Sequence, residues 1–198
     1  MSARQAKTSA RSTAKNTASA LPSPDELQMI YWPAEILKTP AAPITSFTPE
    51  LQAIALAMLQ LMQEHKGVGL AGPQVGLPLR IFVMSETGKA ADGRVAINPV
   101  LTLDGPTEQA EEGCLSIPDV RANIERHTIA RLQAMDFNGR MQQIELTGFA
   151  ARIAQHESDH LDGILILDRM SGLAKLANRP ALLELRAAAE QASRHKTR

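Results

Sequence analysis

The chain is organised around the stretch Gln155-His156-Glu157-Ser158-Asp159-His160, in which two imidazoles stand four residues apart and a carboxylate follows the first. On a helix, this spacing places His156 and His160 on one face, where a divalent metal could bind both rings. Glu157 would then lie close enough to exchange a proton with water at that metal. The pattern predicts a helix whose chemistry suits hydrolysis.

The residues around this stretch favour a helix. Thr147 can act as the N-cap and Asp162-Gly163 as the stop. The apolar positions between them are Phe149, Ile153, Ala154 and Leu161. The alternative is an accidental match, in which both histidines are ordinary surface or core residues.

The composition limits the classes of protein and partner. With 198 residues, of which 44% are hydrophobic and 21% charged, the chain can build one compact domain with tails. Its formal net charge is +0, so no basic field indicates nucleic acid or an anionic membrane. No apolar run approaches the ~20 residues that cross a bilayer, and no leading segment resembles a secretory signal. We therefore expect a soluble intracellular protein.

Residues 1–24 differ from the rest of the chain. Ala, Ser and Thr dominate this segment, which is basic and contains no acid before Asp25. Such a segment can bury little apolar surface, which predicts a disordered tail. An organelle transit peptide has the same composition and stays open as the alternative.

The first clear helix is predicted to start at its N-cap, Thr48, and to end at Lys66-Gly67. Its apolar stripe consists of Leu51, Ile54, Ala55, Met58, Leu61 and Met62. The glycine-rich residues 67–76 follow, before a strand predicted at residues 80–84. This segment lacks the Gly-Lys-Ser/Thr ending of a phosphate loop, but its bare backbone could pair with an extended peptide, and Gln74 offers amide donors. An ordinary turn before a strand is the alternative.

Between Val95 and Phe137 the pattern is mainly β, with strands expected at residues 95–97, 100–103 and 124–135 and Gly or Pro at the turns. Cys114, the single cysteine, lies in this region. It excludes an intramolecular disulfide and fits a reducing compartment. A lone cysteine on an apolar strand is usually a small buried hydrophobe. If the two imidazoles bind a metal, the thiolate can instead be its third ligand, which leaves one position for water, as in catalytic zinc sites.

Three stretches of the chain are similar, in order and separation, to the three signature motifs of peptide deformylase. They are Gly67-Val68-Gly69-Leu70-Ala71-Gly72-Pro73-Gln74, Glu112-Gly113-Cys114-Leu115-Ser116-Ile117-Pro118 and Gln155-His156-Glu157-Ser158-Asp159-His160. The resemblance runs from about Leu27 to Met170. One departure is visible, since the first motif usually has Ala where this chain has Gly72, a small-for-small change that should preserve close backbone approach.

The resemblance implies an activity and a metal. The family removes the N-formyl group from the initiator methionine of newly made proteins, giving formate and a free amine. Cys114, His156 and His160 would hold one ion per chain. The resemblance points to Fe²⁺, and Zn, Ni or Co could occupy the same ligands.

The resemblance also implies how the reaction is divided among side chains. Glu157 would take a proton from water and deliver it to the leaving nitrogen. The side-chain amide of Gln74 and the backbone N–H of Leu115 would form the oxyanion hole.

For the substrate, an N-formylmethionyl peptide, the resemblance implies a backbone-pairing groove. The backbone near Val68-Gly69 and Glu112-Gly113 would pair with the peptide, and Val68, Ile153 and His156 would surround the methionine side chain. Arg121 follows the second motif at the spacing of a substrate-region arginine, although a solvated strand residue is the alternative. The partners would be nascent chains at the ribosome, with no nucleic-acid signature and no membrane.

These observations together predict an α+β fold. Mostly antiparallel β-strands would surround a central metal-binding helix, with a second N-terminal helix and a C-terminal helix at residues 180–192. We place a disordered or targeting tail at 1–24, the catalytic metallohydrolase domain at 25–170, and the C-terminal helix and tail at 171–198. The expected location is the cytoplasm of a bacterial-type cell, or an organelle matrix if residues 1–24 are a transit peptide.

Two other functions remain open. A zinc endopeptidase usually takes a third ligand after the second histidine, and the acids available here, Asp162, Asp168 and Glu184, have no distinctive spacing. A deformylase-like domain without activity could hold a metal for structure or bind nascent chains. Intact Glu157 and Gln74 argue against lost catalysis, because neither residue is needed only to hold a metal.

Overall fold

The computed structural model describes residues 21–196. Its helices and strands in chain order are α1 Pro49–Glu64, β1 Gly69–Ala71, β2 Ile81–Met84, β3 Arg94–Cys114, β4 Ile117–Met135, β5 Met141–Thr147, α2 Gly148–Leu161, α3 Ile166–Arg169, α4 Gly172–Ala177 and α5 Arg179–Lys196. Short 3-10 helices occupy Pro24–Glu26, Glu35–Lys38, Gly72–Val75 and Ala90–Asp92. Most of the segment 1–24 lies outside the described residues, so its interpretation as a tail or transit peptide stays a prediction.

The five strands form one sheet in the order β1-β2-β3-β4-β5, and every neighbouring pair is antiparallel. The predicted α+β fold is therefore confirmed. β3 is far longer than the short strands expected at residues 95–97 and 100–103, because it continues through a bulge between Asp104 and Thr107. Gly105 allows this with a φ of +73°. β4 contains the longer run expected at 124–135 and begins earlier, at Ile117. The sequence pattern did not indicate β5.

The first long helix agrees with its sequence pattern. The Thr48 side chain accepts a hydrogen bond from the backbone N–H of Leu51, so the predicted N-cap is confirmed. The buried stripe consists of Leu51, Ile54, Ala55, Met58, Leu59 and Met62, whereas Leu61 is half-buried. This face packs on β1 and β2 and fixes the glycine-rich segment that follows the helix.

The central helix α2 is buried on most of its surface and packs against β1, β2, β4 and β5. Two details differ from the prediction. Thr147 is the N-cap residue, but its side chain makes no cap hydrogen bond. Phe149 keeps 51% of its surface exposed, since it points to a cavity rather than to the core.

The C-terminal helices contact the body of the molecule. The Asn178 side chain accepts a hydrogen bond from the backbone N–H of Arg121 and donates one to its carbonyl. The Arg186 guanidinium lies 5.1 Å from the centre of the buried Trp32 ring. The predicted C-terminal helix is confirmed, with an extra turn at its end. Among residues 21–196, no helix is long and apolar enough to span a membrane.

Gly72, the departure from the family pattern, has no space for a side chain. An ideal Cβ there would lie 2.6 Å from the carbonyl oxygen of Leu79 and 2.9 Å from that of Leu77. The close backbone approach expected at this position is therefore present, and it leaves no room for the Ala that the family pattern usually has here. The connection to β2 packs directly on the short helix that carries Gln74.

We expect Gly72→Ala to lower the free energy of unfolding by about 1–3 kcal/mol, the usual cost of an overpacked site. Denaturant unfolding measures the change. The matched control is Gly172→Ala, because an ideal Cβ on Gly172 meets nothing within 4 Å. Equal unfolding free energies for the two variants would contradict the close approach.

Candidate active site

The two histidines of the central stretch face each other on α2. The centres of the His156 and His160 rings are 5.0 Å apart and the rings are nearly perpendicular. His160 is buried, and His156 is half-buried at the edge of a cavity. The helical spacing has thus brought both rings to one place, as the sequence predicted.

Cys114 joins the two rings from the end of β3. A bulge between Gly113 and Cys114 and a tight turn into β4 place its Sγ 3.3 Å from Nε2 of His160. One ligand atom each from Cys114, His156 and His160 lies within 4.8 Å of the others. Donors at metal–sulfur and metal–nitrogen distances of ~2.3 and ~2.0 Å lie about 3.5 Å apart around a tetrahedral ion, so this donor set fits a divalent metal.

The electrostatics of the rings suit metal binding. Nδ1 of His156 lies 3.0 Å from Oε2 of Glu112, which leaves Nε2 for a metal. Burial lowers the pKa of His156, but hydrogen bonds to Cys114 and Glu112 outweigh it and raise that pKa well above its usual range. The groups that attract a proton to this ring would equally attract a cation. Burial lowers the pKa of His160 well below its usual range, which keeps this ring neutral and able to bind metal.

Glu157 stands beside the donors without being one of them. It is 3% exposed, and its carboxylate lies against the backbone of Gly69, where a Cβ would collide with Oε1. Its Oε2 has no hydrogen-bond partner among the described residues. Burial raises the pKa of Glu157 to about 7, so this carboxyl can both take up and release a proton near neutrality.

Gln74 lies in the short helix Gly72–Val75 and its side chain is fixed at both ends. Its Oε1 accepts a hydrogen bond from the backbone N–H of Ala71 at 2.8 Å. Its Nε2 lies 3.2 Å from Oγ of Ser116 and 3.6 Å from Sγ of Cys114. The amide nitrogen therefore faces Ser116 and Cys114 rather than solvent.

Comparison with known proteins agrees with this geometry. The family model described as polypeptide deformylase matches residues 26–176. The chain belongs to the peptide deformylase family. Peptide deformylase from Thermotoga maritima is 42% identical over 152 residues, which cover 76% of this chain and 90% of that protein. The Desulfosudis oleivorans enzyme is 41% identical over 152 residues, or 75% of this chain and 88% of that protein.

Solved peptide deformylase structures share the fold. A crystal structure from Plasmodium falciparum superposes with a TM-score of 0.80 at 33% identity, covering 83% of this chain and 98% of that one. A Synechococcus elongatus enzyme in complex with actinonin gives 0.74 at 37% identity, covering 81% of this chain and 89% of that one. Peptide deformylases are metal-dependent hydrolases that remove the formyl group from N-terminal methionine, and this chain has a cluster that could bind the metal.

The site residues expected from the deformylase motifs lie around one cavity of about 690 Å³. All of them line it except His160, which lies behind the cavity wall. The others are Val68, Gly69, Gln74, Glu112, Gly113, Cys114, Leu115, Arg121, Ile153, His156 and Glu157. Leu115 occupies the turn after Cys114, and Arg121 is exposed at the cavity mouth.

The sequence did not reveal what surrounds Glu112. Its carboxylate is buried and binds Arg126 through two hydrogen bonds of 3.0 Å. Arg152 donates a third hydrogen bond at 2.7 Å. Burial raises the pKa of Glu112, but hydrogen bonds from His156 and Arg126 outweigh it and lower that pKa to about 2. The charged Glu112 thus orients the His156 ring.

A second buried acid extends this ionic network. Asp159 on α2 forms ion pairs with Arg126 and with Arg169 of α3. The sequence signal was present but weak, because Arg126 interrupts the apolar face of a strand and Asp159 lies within the histidine stretch. Two of the three acids considered for a peptidase have other partners, since Asp162 pairs with Arg80 and Asp168 accepts a hydrogen bond from the backbone N–H of Leu165.

Proposed function

We propose that this deformylase holds its metal with Cys114, His156 and His160 and carries protons with Glu157. The observation that supports this most directly is the convergence of the three donor atoms within 4.8 Å, beside a buried carboxyl. One donor atom comes from the end of β3, and the other two come from successive turns of α2. A structural metal site would not need the unpaired Oε2 of Glu157 at its side.

We propose Fe²⁺ as the resident ion, one per chain. A thiolate with two imidazoles also suits Zn²⁺, Ni²⁺ or Co²⁺, so the ligands alone do not select the ion. The presence of all three deformylase motifs supports Fe²⁺. When bound, the ion supplies the Lewis acidity that makes water a competent nucleophile near neutral pH.

The residues around the metal site have separate roles in the proposed reaction. Glu157 takes a proton from the water whose oxygen attacks the formyl carbon. The oxygen of the formyl group gains negative charge, and the Gln74 amide and the Leu115 backbone N–H would donate hydrogen bonds to it. Glu157 next delivers its proton to the nitrogen as the carbon–nitrogen bond breaks. The products are formate and a peptide with a free amine.

The substrate would bind as an added strand. β1 pairs only with β2, and the end of β3 pairs only with β4 among the described strands, so Val68-Gly69 and Glu112-Gly113 have backbone available for a peptide. The methionine side chain would contact Val68, Ile153 and His156, which line the cavity. Arg121 would contact the chain further along.

The setting of the reaction follows from its substrate. Formylated termini are found on nascent chains, so we propose that the enzyme acts close to the ribosome. The cytoplasm of a bacterial-type cell is the proposed location, or an organelle matrix if residues 1–24 are a transit peptide. The proposed boundaries are a tail at 1–24, a catalytic domain at 25–170 and a C-terminal unit at 171–198.

The discriminating substrate test compares formyl-Met-Ala-Ser with acetyl-Met-Ala-Ser. The acetyl methyl must fit where the formyl group carries only hydrogen, so the carbonyl would be displaced from Gln74 and the metal site. We expect formate from the first peptide and at least tenfold slower turnover of the second, since one methyl is worth roughly 10–200-fold. Mass spectrometry identifies the products, and internal fragments without formate would instead indicate a peptidase.

A further inference from the structure

Arg152 is a buried cation on the wall of the substrate cavity. It lies on α2, directly before Ile153 and four residues before His156. The residue is 9% exposed and lines the cavity together with Phe149 and Ile153. The wall expected to surround the methionine side chain is therefore not wholly apolar.

The hydrogen bonds of Arg152 leave donors available. A guanidinium has five N–H groups. Nη1 donates to Oε1 of Glu112 at 2.7 Å and to the carbonyl of Ile124 at 2.9 Å, and Nη2 donates to the carbonyl of Glu108 at 2.8 Å. Within residues 21–196, no acceptor is found for the Nε–H or for the second N–H of Nη2.

The same contacts hold the guanidinium in place. Glu108 belongs to β3 and Ile124 to β4, so Arg152 bridges the central helix to both strands of the long hairpin. Because a planar guanidinium with three fixed hydrogen bonds cannot turn freely, its remaining donors keep one direction. A fixed donor in a cavity wall selects ligands that bring an acceptor to it.

We propose that Arg152 forms a polar subsite in the first side-chain pocket, which accepts an oxygen atom near the end of that side chain. This inference rests on the proposed function. The substrate begins with methionine, and the oxygen-bearing form of methionine with the same chain length is its sulfoxide. The enzyme would therefore also deformylate chains whose initiator methionine has been oxidised.

The comparison of two peptides tests this subsite. For the wild-type enzyme with its metal, we expect kcat/KM on formyl-methionine-sulfoxide-Ala-Ser to lie within about tenfold of that on formyl-Met-Ala-Ser. The reason is that Arg152 would donate a hydrogen bond to the sulfoxide oxygen. The two sulfoxide epimers are assayed separately and the better one is compared. A formyl-norleucine peptide is the apolar reference substrate, because its side chain has a similar length but carries no hydrogen-bond acceptor.

Arg152→Met keeps the length of the side chain and removes its donors. We expect the ratio of sulfoxide to methionine turnover to fall by about 10- to 100-fold, the range for leaving one buried acceptor unpaired. The ratio is the readout, because general damage to the site lowers both rates together.

Arg126→Met is the matched control. Arg126 is also buried and also binds Glu112, but it does not line the cavity. We expect it to lower both rates without changing their ratio. An equal fall of the ratio in Arg126→Met would show that Arg152 acts through Glu112, which would overturn the subsite.

The wild-type measurement decides the question even if neither variant folds. Rejection of the sulfoxide by more than about tenfold, as expected of an apolar pocket, would overturn the inference while formyl-Met-Ala-Ser is still processed. Absence of formate from formyl-Met-Ala-Ser would instead overturn the proposed function itself.

Discussion

Glu157→Gln is expected to lower kcat by at least about 10³-fold, since the carboxyl would serve as general base and then as general acid, each worth roughly 10²–10⁴. The amide has nearly the same shape but cannot take up the proton from water. Steady-state formate release measures the loss. The metal content should stay at the wild-type level, because the donors Cys114, His156 and His160 are untouched.

The control for Glu157 is Glu125→Gln, which removes an exposed carboxylate from β4. This variant should match wild type in both turnover and metal content. A Glu157→Gln enzyme that retained activity within tenfold of wild type would rule out the proton-carrying role. Loss of the metal in that variant would mean that Glu157 is a ligand.

Cys114→Ala is expected to lose most of its bound metal while remaining folded. The thiolate supplies one of three donors, and two imidazoles alone bind a divalent ion far more weakly. The side chain is small and ends at a strand terminus, so its loss should cost no more than ~1 kcal/mol of stability by the usual methylene scale. Metal analysis of anaerobically purified protein, with circular dichroism as the test of folding, measures both effects.

Ser116→Ala is a suitable comparison for Cys114→Ala, because Ser116 is buried in the same turn and contacts Gln74 instead of the histidines. Its metal content should equal that of wild type. A fully metallated Cys114→Ala protein would contradict the ligand assignment, and the cysteine would then be only a packing residue.

The parts of the site that depend on local spacing could be predicted from the sequence. His156 and His160 are one helical turn apart, so a correctly predicted helix already places both rings together. The partnership of Cys114 with them was inferred from ligand chemistry, since a thiolate can complete a site with two imidazoles, and the family resemblance then supported it although β3 and α2 are distant in sequence. The resemblance also assigned Gln74, already noted as an amide donor, to the oxyanion hole.

The ion pairs between residues that are far apart in the sequence could not be predicted. The carboxylate of Glu112 turns inward only because Arg126 and Arg152 reach it from β4 and α2, 14 and 40 residues away. Nothing in the local pattern distinguishes this buried acid from its exposed neighbour Glu111. The length of β3 was missed for another reason, because Gly105 normally indicates a turn and here forms a bulge inside a strand.

The unpaired edge of β3 also affects how copies of the enzyme behave toward one another. Open edges recruit strands from other molecules and so promote self-association. Asp104, Glu108 and Glu111 are exposed along this strand, so two such edges that approach each other bring like charges together. A neutral peptide meets no such repulsion. The acidic strand would therefore discourage aggregation of the enzyme with itself and still leave the proposed peptide-binding edge open.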